Sequence, residues 1–245
     1  MNNLTALNLQ LLKQKVPMLD LTIEQAMSIA KIPERFNEKR ISALITYTTG
    51  DSALADTLTM QERYYVLLNQ QALSHNKYAL EDDFSDYYID TIESEVPDEY
   101  FDKDIGIGVQ HIRGGHICLL ETICEDLFDW TCGLMACQLY GDLSALLGGE
   151  GIVWDQLDAQ MPSNELNQHV QSRVRLIGQL NELAFNNLSE TFDYLVAPLT
   201  HYLETSIDNN GITVLKEVNG DYQPARFPAL SHLQGHAKQL ARYIA

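Results

Sequence analysis

Basic side chains are scarce in this chain: sixteen lysines and arginines stand against thirty-four aspartates and glutamates, a formal net charge of −18 over 245 residues. The shortage is local. Residues 1–75 hold seven acids and seven bases, and residues 166–245 hold seven and six, whereas residues 76–165 carry twenty acids against Lys77, Lys103 and Arg113 alone. A field of that sign repels phosphate backbones, so direct nucleic-acid binding is disfavoured; a basic protein partner, a cation or plain solubility remain as its uses. Long apolar runs are missing as well. No stretch approaches the roughly 18 apolar residues of a membrane span. The start MNNLTALNLQ has neither the basic residues nor the apolar block of a signal peptide, so the expected location is the cytosol of the cell that makes the chain. Cysteine is confined to Cys118, Cys124, Cys132 and Cys137. Such crowding does not suit the spread framework of a disulfide-stapled domain, and the four are expected to be reduced thiols packed as small apolar filler.

What is present is an ordinary globular composition, 45% hydrophobic and 20% charged, in a length that suits one large domain or two small ones. The most apolar run is Ile105 to Gly141, which also holds all four cysteines. Ile105, Ile107 and Val109 alternate, which predicts a short strand entering the interior. After Gly114-Gly115 the period changes to helical. Leu119, Leu120, Ile123 and Leu127 share one face, and Trp130, Leu134, Met135 and Leu139 continue a stripe beyond a break near Phe128. These two helices are the expected stability core, with Trp130, Leu134 and Leu139 buried.

The flanking segments read as follows. Residues 1–18 are an arm or short strand, because Pro17 stops any helix there. Thr22 with Gln25 forms a capping-box pattern ahead of Ala26, Met27 and Ala30; Asn37 starts a second helix with inner face Ile41, Leu44 and Ile45, ended by Gly50. Thr59 and Glu62 repeat the capping pattern, giving three short helices over residues 22–73. Residues 81–104 hold eleven acids against Lys103, interleaved with aromatics that can anchor the segment on a core or on a partner. Leu166, Val170, Val174 and Ile177 predict a long amphipathic helix, followed by a second stripe at Phe192, Leu195 and Leu199, the two paired antiparallel. Asn219-Gly220 between β-prone runs predicts a hairpin over 212–227 with Pro224 on an edge strand, and Ser231 caps a last helix. The resulting fold class is mainly α and bundle-like, with about ten helices, a short central strand and a C-terminal β-hairpin. Its parts are a three-helix segment (1–75), an acidic connection (76–104) and a helical core with the hairpin (105–245).

Chemistry-bearing clusters are sparse. His111, His116, Cys118 and Cys124 are the best zinc ligands by residue type, but intervals of four, one and five residues do not match paired CxxC or HxxxH elements. Asp82 to Glu93 imitates a calcium loop with Tyr87 where glycine must allow the turn. No phosphate loop or nucleophile elbow is present, and His201, His232 and His236 are expected on helix surfaces. No catalytic residue, cofactor or metal is assigned.

The strings LTIEQAMSIAKIPERFNEKRISALITYTTGD, LTMQERYYVLLNQQ, DNNGITVL and PARFPALS resemble the texture of accessory proteins of tailed-bacteriophage virions, those of the tail and baseplate. The resemblance implies a non-enzymatic structural or assembly component of a virion, made in the host cytoplasm and binding other tail or baseplate proteins. It brings no catalytic residues with it. The expected contact residues are Phe84, Tyr87, Tyr88, Asp90, Glu93, Tyr100 and Phe101 in the acidic segment, since aromatics set among charges suit an interface. Two other readings stand beside this one: a cytosolic adaptor or regulator acting through the same segment, and a metal-dependent enzyme using His111, His116, Cys118 and Cys124.

Overall fold

The computed structural model describes residues 7–78, 84–92, 95–218 and 221–229. It begins with an antiparallel hairpin of β1 (Leu7–Gln10) and β2 (Lys15–Met18), in which Val16 and Met18 turn inward while Lys15 and Pro17 face out. Four helices follow, α1 (Ile23–Ala30), α2 (Asn37–Thr49), α3 (Ser52–Thr57) and α4 (Met60–Tyr78). After a 3-10 turn at Ser85–Tyr87 come β3 (Glu99–Asp102), β4 (Ile107–Gln110), α5 (Gly114–Ile123), α6 (Leu127–Gln138), β5 (Leu139–Asp142), α7 (Ser144–Leu147) and β6 (Val153–Trp154). The chain continues through α8 (Ser163–Ile177), α9 (Glu182–Val196), a 3-10 turn at Ala197–Leu199, and then β7 (Thr205–Asp208), β8 (Gly211–Val218) and β9 (Asp221–Ala225).

The fold is therefore mixed α/β and not mainly α: three antiparallel sheets of two, four and three strands stand among the helices of the described residues. The strands escape the sequence pattern because most are four residues or fewer, so each turns only one or two side chains inward and no alternation accumulates. β5 is the clearest case. Leu139 continues the helical stripe of α6 in sequence, yet it pairs with Val109 as a strand residue. β3 lies inside the acidic segment, and the hairpin of β8 and β9 is the outer part of a meander that β7 completes. Pro224 does sit on the edge strand, where its missing N–H costs no ladder bond. The Asn219-Gly220 turn and the helix expected from Ser231 lie outside the described residues.

Local signals hold where the chemistry is local. Thr22 and Gln25 make a reciprocal capping box at 3.2 and 2.9 Å, and Thr59 and Glu62 make another at 3.1 and 3.0 Å. Ile41, Leu44 and Ile45 are fully buried on α2, and Gly50 ends that helix with φ +76°. α1 turns differently from expectation. Its anchor is the buried Ile29, while Met27 is 58% exposed, because an eight-residue helix offers two overlapping apolar stripes and only one can face the core. α8 packs mainly on α6 while α9 lies over β3 and β4, so the two are not a simple antiparallel pair.

A buried polar network fastens the N-terminal helices to each other. Arg63 on α4 donates through Nη1 to Ala55 O at 2.6 Å and Ser42 Oγ at 3.1 Å, and through Nη2 to Glu38 O at 2.8 Å. Glu38 in turn accepts the Tyr64 hydroxyl at 2.5 Å. Gly114 and Gly115 start α5 where other backbone crosses closest: a Cβ at either would stand 1.9 Å from a carbonyl oxygen, Ala55 O for the first and Ala159 O for the second. One hydrophobic core runs through all of this from Leu9 to Ala229, with Trp130, Leu134 and Leu139 in it as expected.

Candidate functional site

The four-stranded sheet has the order β3-β4-β5-β6, and its register sorts the acidic segment's side chains onto two faces. Tyr100 opposite Val109, and Asp102 opposite Ile107, face the interior side. There α9 covers them: Tyr194 meets the Tyr100 ring edge-on at 6.4 Å and donates its hydroxyl to Asp102 Oδ2 at 3.2 Å. The other face is open. Phe101, Gly108 and Tyr140 lie in one row across three strands, and Asp142 pairs with Val153 in the next.

On that open face the Phe101 and Tyr140 rings stack at 5.9 Å with 29° between planes. Gly108 makes the arrangement possible, since a Cβ there would lie 2.4 Å from Tyr140 Cζ and 2.8 Å from Phe101 Cδ2. Phe101 stays 44% exposed and Val153 63% exposed. Carboxylates border the rings: Glu99, held by the Gln156 amide, and Asp142, whose pKa is lowered by its hydrogen bonds from Ser144. An aromatic centre inside a charged rim is the anatomy of a protein-binding patch.

The remaining expected contact residues sit elsewhere. Phe84 and Tyr87 pack on Phe227 at 6.0 and 4.9 Å, and Lys216, paired with Asp86 at 2.7 Å, lies over the Tyr87 ring. Tyr88 meets the edge of Tyr65 at 5.4 Å, with its hydroxyl pKa pushed up by burial. These three are half-buried anchors on the protein's own core; Asp90 is exposed, and Glu93 lies outside the described residues. Tyr140 and Gly108, which complete the patch, carry no mark in the sequence and become visible only through strand register.

The four candidate zinc ligands occupy separate settings. His111 Nε2 meets Pro97 O at 2.9 Å, and His116 Nε2 meets Leu157 O at 3.0 Å while its Nδ1 accepts the Arg113 N–H. Cys118 Sγ bonds with Ser42 Oγ at 3.2 Å, and Cys124 is half-buried beside the α5–α6 contact. Among the described residues no group of three or more His, Cys, Asp or Glu is placed to hold an ion. Burial presses the pKa values of His111 and His116 down to about 4 and lifts the Cys124 thiol to about 12. His201, expected on a helix surface, is fully buried instead. Its Nδ1 meets Leu199 O at 2.7 Å and its Nε2 meets the Thr59 hydroxyl at 2.8 Å, which pins the start of α4 to the chain before β7. His232 and His236 lie outside the described residues.

A cleft of about 450 Å³ opens between α6, α9 and β7. α6 lines it with Thr131, Leu134, Met135 and Gln138, and α9 with Ser189, Phe192, Asp193 and Val196, each set spaced as one helix face. No family model, curated protein or solved structure matches this chain.

Proposed function

We propose that this protein is a non-enzymatic binding subunit that docks a basic segment of another protein on the open face of the β3-β4-β5-β6 sheet. The observation that carries the reading is the exposed Phe101 ring stacked on the half-buried Tyr140, on a sheet face bordered by Glu99 and Asp142. Aromatic rings supply contact area at low cost in conformational entropy, and the carboxylates select and steer a partner of opposite charge. The tail and baseplate resemblance of the helical N-terminal strings supplies the proposed setting, a structural or assembly role among virion proteins.

The test is recovery of the partner with the tagged full chain and measurement of the affinity across salt. Binding should weaken as ionic strength rises past about 0.15 M, where the Debye length is roughly 8 Å. Phe101→Ala should weaken it about tenfold or more at every salt concentration, as removal of a central aromatic anchor does. A partner from tail or baseplate particles supports the whole proposal, and a host cytosolic partner would transfer the same surface to the adaptor reading. Binding unaffected by both salt and Phe101→Ala would overturn it.

A further inference from the structure

We infer that the cleft between α6, α9 and β7 binds a small organic cation with an apolar body. Its 450 Å³ falls within the range of small-ligand pockets. The floor is hydrocarbon and aromatic, built by Leu134, Met135, Phe192 and Leu199, all buried side chains. The acidic lining groups are two carboxylates, Asp193 and Glu204, and among the described residues no lysine or arginine lines the cleft.

The basic ring in the wall, His111, bonds to the Pro97 carbonyl and burial holds it neutral. The cleft therefore presents a field of one sign above an apolar floor. An anion is repelled, a neutral apolar molecule gains nothing from the carboxylates, and a cation carrying an apolar tail satisfies both halves. Asp193 is the better placed of the two acids. Glu204 is shared with the Tyr222 hydroxyl, whereas desolvation alone moves the Asp193 pKa, upward, and no ion pair or hydrogen bond engages its carboxylate among the described residues. A bound ammonium would return to Asp193 the stabilisation that partial burial removes.

The experiment titrates the full chain with three probes of equal length, hexylammonium, hexan-1-ol and hexanoate, followed by amide chemical shifts. Hexylammonium should saturate with shifts clustered on α6 and α9, hexan-1-ol should bind about fivefold more weakly or worse, and hexanoate should not bind. Asp193→Asn should bring hexylammonium to the level of the alcohol. Glu24→Gln, which removes one exposed carboxylate on α1, should leave it unchanged and so separates the cleft from the general negative charge. The Asp193 carboxylate holds no hydrogen bond or ion pair among the described residues, so the variant should keep the wild-type spectrum outside the cleft. Equal affinity for the three probes, shifts that map elsewhere, or equal losses in the two variants would overturn the inference.

Discussion

The carboxylate of Glu121, at the last turn of α5, accepts the backbone N–H of Glu38 at 2.6 Å and that of Lys39 at 3.2 Å. α2 begins with Phe36 at its cap position, which offers no side-chain acceptor, so its open N–H groups are satisfied from another helix. Glu121→Ala should lower stability by about 1 kcal/mol, the usual cost of a lost cap. Urea unfolding at neutral pH measures it.

Glu121 also titrates unusually: burial raises its pKa to about 7, against the two N–H bonds that favour the charged form. A carboxyl with a raised folded pKa binds its proton more tightly when folded. That proton-linked contribution, separate from the cap, is complete below the unfolded value, about 4.5, and is lost as pH rises through about 7. Relative to Glu121→Gln, the wild-type protein should therefore lose stability between those limits. Parallel denaturation curves for the two proteins over that window test the sign.

Histidine pulls the other way. His111 and His116 are held neutral with folded pKa values of about 4, below the ordinary imidazole value of 6.5. For a base with a lowered pKa the unfolded chain takes up protons first, so stability is complete above about 6.5 and falls as pH drops toward about 4. His116→Ala should remove that histidine's share of the acid sensitivity. It should also cost about 1–3 kcal/mol at pH 7, because Leu157 O and the Arg113 N–H lose their partner.

Gly114→Ala and Gly115→Ala should be far more damaging than an exposed helix substitution. The added methyl would lie 1.9 Å from Ala55 O or Ala159 O, both backbone atoms, and at Gly114 also 2.5 Å from Arg63 Nη1. Backbone cannot swing aside as a side chain can. A loss of about 3 kcal/mol or more in either variant is expected, against roughly 0.5 kcal/mol for a neutral surface change. Thermal melts of the purified variants measure it, and a wild-type melting temperature would refute the close approach.

These features mark how far the sequence could be read. Thr22 with Gln25 and Thr59 with Glu62 were legible because both partners lie within four residues, and Ile41, Leu44 and Ile45 because a thirteen-residue helix repeats its period. The cap from Glu121 to Glu38 spans 83 positions, and the bond between His201 and Thr59 spans 142; no local pattern announces either. The strand at β4 and the hairpin of β8 and β9 are legible from local pattern, but the strands that extend them into sheets are not, for a related reason. β3 and β5 are four residues long and β6 is two, and what makes them strands is pairing across the chain. At the candidate surface Phe101 could be picked out, but Tyr140 and Gly108 reach it through register. Phe84, Tyr87 and Tyr88 are anchored by Phe227 and Tyr65, residues remote in sequence.

The cysteines supply a last prediction, in which pKa and packing act together. All four are free; Cys132 and Cys137 are buried on α6, while Cys118 and Cys124 are half-buried against α5's neighbours. Burial is the first cause raising each thiol: Cys132 to about 11 and Cys124 to about 12, with the nearby Asp129 carboxylate adding to both. Thiolate is the reacting species, so each unit of raised pKa lowers the reactive fraction about tenfold. At pH 8 the native protein should react with a disulfide reagent on the order of a hundredfold more slowly than an ordinary cysteine, even where a thiol is accessible. Unfolding in urea should release all four at once. Because no disulfide joins them, reductant should leave the melting temperature unchanged. Stopped-flow titration with and without urea separates the possibilities. A native thiol reacting at the rate of a free cysteine would mean that its carbon neighbours do not exclude water, and would remove that residue from the packed core of α5 and α6.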